Sequence, residues 1–143
     1  MSVVSAYILA IIAGWVIAQG SKYLVVAFKT KNLRDIRQLY LSGNMPSAHT
    51  ATAFALLTVI GLKDGLQSGL FGLAALFTAV VMYDAIMVRR SSGEQGVALQ
   101  QLLKEMKSLA VMPRAAKGHT PLEVLVGALV GGAVGLVVFF ATN

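Results

Sequence analysis

The sequence predicts an all-α, integral-membrane helical bundle folded as a single domain over residues 1–143. Three observations carry this. Of 143 residues, 57 % are hydrophobic and only 13 % are charged, where soluble domains carry about 25 % charge. A domain this small exposes too much surface in water to leave so few polar residues on it. The apolar residues also fall in four runs near the roughly 20 residues that a membrane helix needs, and the charges collect between them. An intrinsically disordered chain is excluded by the same composition. There is no cysteine, which excludes disulfides, thiolate metal sites and a thiol nucleophile.

The first run is Val3 to Phe28, interrupted by Gln19, Ser21 and Lys22. It is too long for a secretory leader and no small-residue cleavage signal follows it, so it reads as a span. The second, Pro46 to Leu62, is a little short and opens on polar residues. The third is Leu66 to Val88, with Asp84 near its end, and the fourth is Pro121 to Thr142, with Glu123 near its start. Two basic connections join them. Lys29, Lys31, Arg34 and Arg37 stand in one; Arg89, Arg90, Lys104, Lys107, Arg114 and Lys117 stand in the other. Leu33, Ile36 and Tyr40 in the first, and Leu99, Leu102, Leu103, Met106, Leu109 and Ala110 in the second, have helical spacing. They predict two amphipathic helices lying on the inner membrane face.

The remaining connection, Lys63 to Gly65, is a tight turn. With four spans, both basic connections lie on one side and both termini with the short turn on the other. Ten Lys and Arg stand against one, and the positive-inside rule puts the basic side in the cytoplasm. The charge is therefore explained by topology, and no aromatic cluster accompanies it that would suit nucleic acid. Gly127, Gly131 and Gly135 form a small-residue stripe in the last run. It suits close packing within the chain or a homodimer through the same face.

Polar residues inside a bilayer are costly and mark functional sites by default. Here one topology gathers them at the inner ends of the spans: Lys22; Ser47 and His49; Asp84, Arg89 and Arg90; His119 and Glu123. Two helix starts point free N–H groups into that layer and favour anions there. Pro46 and Pro121 both suit a first helical turn. Arginine forks match phosphate oxygens, and two histidines supply a nucleophile and a general acid. Glu123 follows His119 by four residues and shares its helix face. Thr120 to Glu123 also reads as a capping box, Ser47 as a helix cap, Lys22 as a snorkelling anchor, and Asp84 as an ion-pair partner of a neighbouring base. There is no Walker loop, which argues against nucleotide-driven transport.

Met45-Pro46-Ser47-Ala48-His49 resembles the PSGH motif of the phosphatidic acid phosphatase type 2 superfamily, which includes vanadium haloperoxidases. Gly118-His119-Thr120-Pro121-Leu122-Glu123 is similar to the end of its third motif, a His followed four residues later by Asp. Tyr83-Asp84-Ala85, Val88-Arg89-Arg90, Gly93, Gln95 and Gly118-His119-Thr120-Pro121 resemble, in this order, a divergent branch found in bacteria and plants. The resemblance implies a phosphoric monoester hydrolase that needs no metal or cofactor. His119 would be the nucleophile that becomes a phosphohistidine, Glu123 its orienting acid and His49 the general acid. Ser47 and the Ala48 amide would hold phosphate oxygens. The superfamily's first motif is absent around Lys22, so Arg89, Arg90 and Lys22 are expected to supply the basic phosphate ligands, with Asp84 supporting them.

The leading expectation is thus a phosphatase for a lipid phosphate or another phosphomonoester in a bacterial cell membrane, with its site on the cytoplasmic side. Its partners would be membrane lipids and the phosphorylated substrate, not nucleic acid. Two alternatives stay open: a degenerate member that binds anionic lipid or phosphate without turnover, and a small transporter.

Overall fold

The computed structural model describes residues 5–31, 45–113, 115 and 118–143. The described residues form helices α1 (Ala6–Thr30), α2 (Ala48–Lys63), α3 (Gly69–Tyr83), α4 (Arg89–Glu105) and α5 (Pro121–Thr142). A π turn over Asp84–Val88 joins α3 to α4 without a break. Three helical stretches are long and apolar enough to cross a membrane: Ala6–Phe28, Gly69–Glu105 and Pro121–Thr142. The second expected span, α2, has only 16 residues, about 24 Å of helix against about 30 Å of hydrocarbon.

α2 is the hub. α5 packs on it most extensively, then α1, then α3, and α1 also packs on α5. Between membrane helices, burial of apolar surface gives no net drive, so association depends on close approach of backbones. The sequence provides small residues for this. Ala6, Ala10 and Ala18 of α1 and Ala51 and Ala55 of α2 are buried, as are Val134 and Val138 of α5. Gly127, Gly131 and Gly135 all face α2; a Cβ on Gly131 would stand 2.2 Å from the Ala51 carbonyl oxygen. The glycine stripe therefore serves packing within the chain, the first of its two readings. At the far end, the Tyr7 hydroxyl donates to Asp64 at 2.8 Å and ties α1 to the turn after α2. In that turn Gly65 takes φ +84°, and the Ser68 side chain caps α3 by accepting from the Phe71 N–H.

Two expectations need correction and one lies outside the described residues. The stretch Leu99 to Ala110 is not a separate surface helix. Nothing between Val88 and Arg89 breaks the chain, so α4 extends the third span directly, and Gly69–Glu105 is one helix of 37 residues. Its stop falls before Leu109 and Ala110. Lys107 takes φ +49°, with the Ser108 N–H on the Leu103 carbonyl and the Lys107 N–H on the Lys104 carbonyl, a Schellman stop with lysine in place of the usual glycine. Pro46 is not in a first helical turn either: Ser47 occupies the N-cap position, the helix starts at Ala48, and the Met45–Pro46 peptide is cis. The predicted helix around Leu33, Ile36 and Tyr40 falls outside the described residues.

Candidate functional site

The site is built where α5 begins. Thr120 caps the helix, Pro121 occupies its first turn, and Glu123 completes a capping box. The Thr120 N–H donates to Glu123 Oε2 at 2.9 Å, and the Glu123 N–H donates to Thr120 Oγ1 at 3.3 Å. The same Oε2 lies 3.2 Å from Nδ1 of His119. Glu123 thus does both things that its spacing allowed: it closes the helix start and holds the imidazole. An ionised carboxylate accepts only, so Nδ1 carries the proton and Nε2 presents its lone pair.

His119 is 7 % exposed. Burial lowers its pKa below the usual histidine range; the hydrogen bond and charge of Glu123 oppose this, and the charges of Lys22 and Arg89 reinforce it. The net direction favours the uncharged ring. Its backbone is held from another element: the His119 N–H donates to the Ala85 carbonyl in the π turn at 3.0 Å.

The start of α2 reaches the same place. The Ser47 N–H donates to the Glu123 carbonyl at 3.2 Å. Ser47 is completely buried, and its side chain does not cap α2; its Oγ accepts from the Thr50 hydroxyl at 3.0 Å. The first intrahelical bond of α2 runs from the Ala51 N–H to the Ser47 carbonyl. Among the described residues, the N–H groups of Ala48, His49 and Thr50 have no helical partner, the arrangement that favours an anion. His49 is exposed and feels the charges of Arg89, His119, Asp84 and Lys22. Lys22 of α1 is 5 % exposed and feels Glu123.

The arginines divide. Arg89 pairs with Asp84, as expected of Asp84, while its charge acts on both histidines. Arg90 turns outward to Glu94 at 3.2 Å, both side chains mostly exposed. The structure thus gathers Lys22, Ser47, Ala48, His49, Asp84, Arg89, His119 and Glu123 at one end of the bundle and leaves the Arg90 side chain out. Among the described residues no group of His, Cys, Asp and Glu is arranged to hold a metal ion.

Three contributors escaped sequence reasoning. Ala85 acts through its carbonyl, which no side-chain pattern reveals. Thr50 was hidden because its hydroxyl serves a neighbour. Gln19 was visible only as a break in an apolar run; its Oε1, one turn before Lys22, is buried with no hydrogen-bond partner among the described residues.

Comparison with known proteins identifies the family. Residues 3–134 match the Divergent PAP2 family. The chain is 35 % identical over 114 residues to the membrane protein YuiD of Bacillus subtilis (strain 168), covering 69 % of this chain and 72 % of that one. No solved structure matches. A helical membrane bundle, with a histidine held by an acid four residues on at the start of its last helix, here coincides with a family match over nearly the whole chain: the protein belongs to the divergent PAP2 family.

Proposed function

We propose that this protein is a membrane phosphomonoester hydrolase that works through a phosphohistidine, with its site at the cytoplasmic face of a bacterial cell membrane. The observation that carries the reading is the His119–Glu123 pair: a buried imidazole held by Glu123 through Nδ1, beside the amides without helical partners that open α2. His119 Nε2 attacks phosphorus; the P–N bond forms as the P–O bond to the alcohol breaks. His49 gives its proton to the leaving oxygen. Water then attacks the phosphohistidine, His49 takes a proton from it, inorganic phosphate leaves and the His119 lone pair is restored. Ser47, the Ala48 amide, Lys22 and Arg89 hold the non-reacting oxygens, whose charge grows in the transition state. A lipid phosphate suits a site inside a membrane bundle, and a small phosphomonoester is the alternative substrate.

The test is phosphate release by purified protein from a panel of lipid and soluble phosphomonoesters, wild type beside His119→Ala. The variant should fall to background. Release undiminished in His119→Ala removes the mechanism.

A second reading has an observation in its favour. Arg89 is tied to Asp84 and Arg90 to Glu94, which weakens the basic ligand set. The protein would then bind anionic lipid or phosphate without turnover. Phosphate binding with no release from any substrate selects that reading. A transporter is disfavoured because the polar residues form one layer, not a path through the bilayer.

A further inference from the structure

In an unbroken α-helix the Arg89 N–H would bond the carbonyl four residues back, which is Ala85. Here it bonds Asp84, five back. The π turn therefore withdraws one helical donor from one carbonyl, and that carbonyl takes the N–H of His119. π turns of this kind recur at functional sites. The segment that brings His119 there lies directly on the end of the turn: a Cβ on Gly118 would stand 2.5 Å from both N and Cα of Arg90. Only glycine lets the chain cross at that height. The imidazole of His119 is thus held at two ends by two helices, its backbone by the π turn and its ring by Glu123 of α5.

We infer that the π turn at Asp84–Val88 is the positioning device for His119, with the Ala85 carbonyl and the absence of a side chain at Gly118 as its working parts. As a statement about catalysis this rests on the proposed function; as a statement about His119 it does not. The register shift is a local state that a regular α-helix would lack. The site therefore depends on one irregular turn in an otherwise regular 37-residue helix.

Amide exchange and imidazole titration by NMR on the full chain in lipid nanodiscs test it. In wild type the His119 amide should exchange about tenfold more slowly than the same amide in a short unstructured peptide, the worth of one backbone hydrogen bond. Gly118→Ala should erase that protection and move the His119 titration up toward the usual range, while the amides from Gly127 to Gly131 keep theirs. Where the wild type releases phosphate, the kcat of this variant should fall on the order of 10²-fold, the cost of an ångström's misplacement, with KM moving less. Three results overturn the inference: a wild-type His119 amide as fast as in the peptide, Gly118→Ala with the titration unmoved, or protection lost evenly along α4 and α5. A wild type that releases no phosphate sinks the catalytic reading alone, and exchange and titration still decide the positioning.

Discussion

α5 begins with its histidine just outside the helix; α2 begins with its histidine inside the first turn. At the start of α5, cap, box, imidazole Nδ1 and the preceding backbone form one bonded unit. At the start of α2 the capping serine is turned to Thr50, three amides stay without helical partners, and His49 is exposed. The two starts lie against each other through the Ser47 N–H and the Glu123 carbonyl. Under the proposed function the difference is a division of labour. A nucleophile needs a fixed lone pair, which the buried and bonded His119 would supply. A general acid must recover its proton each cycle, so access to water would serve His49 better than rigidity.

The comparison is sharpened most by His49→Ala. Loss of a general acid should cut phosphate release about 10²–10⁴-fold for an alkyl phosphate, and far less for a nitrophenyl phosphate, whose leaving group needs no proton. Equal losses on both substrates would return His49 to a structural role. Glu123→Gln acts at the other start. It keeps the length and the capping capacity but removes the charge, and should slow the reaction about 10–10³-fold, a few kcal/mol of electrostatic support. Unchanged kcat with an unchanged fold would reduce Glu123 to a cap.

The smallest effect is on stability. Burial lowers the His119 pKa, so the folded chain binds fewer protons there than the unfolded chain. This contribution is fully present above the unfolded value of about 6.5 and is lost as pH falls through the lower folded value. Thermal melts in detergent should therefore show acid destabilisation that His119→Gln lessens. Equal acid sensitivity in both would mean that His119 is not the group concerned.

Much of this was legible in the sequence because membrane burial makes polar residues conspicuous. Lys22, His49, Asp84, Arg89, His119 and Glu123 stand out against apolar runs, and loop charge alone brings them to one end. The capping box was readable because it depends on a three-residue spacing from Thr120 to Glu123. What could not be read depends on backbone register. The π turn has no residue signature, since Asp84–Val88 would also suit a regular helix. Without it, neither the Ala85 carbonyl nor the constraint at Gly118 can be anticipated. The outward turn of Arg90 follows from Glu94 four residues on, a pairing visible in the sequence but outweighed there by the pull of a phosphate site. The continuity of α3 with α4 was missed because a change from apolar to polar composition looks like an end of structure, whereas it marks only an end of lipid.

The brevity of α2 has a mechanical consequence. Hydrophobic mismatch is ordinarily met by tilting a helix or by thinning the bilayer around it. α2 packs against α1, α3 and α5, so it cannot tilt apart from them, and the difference in length is built into the bundle. Ala48 at its start is level with Ala18 of α1, while α1 runs on to Thr30, roughly 18 Å further at the helical rise. The depth of the candidate site is thus a ruler cut into the protein by the difference between two helix lengths. It should stay the same in thick and thin membranes alike, because it is measured from a neighbouring helix and not from the lipid.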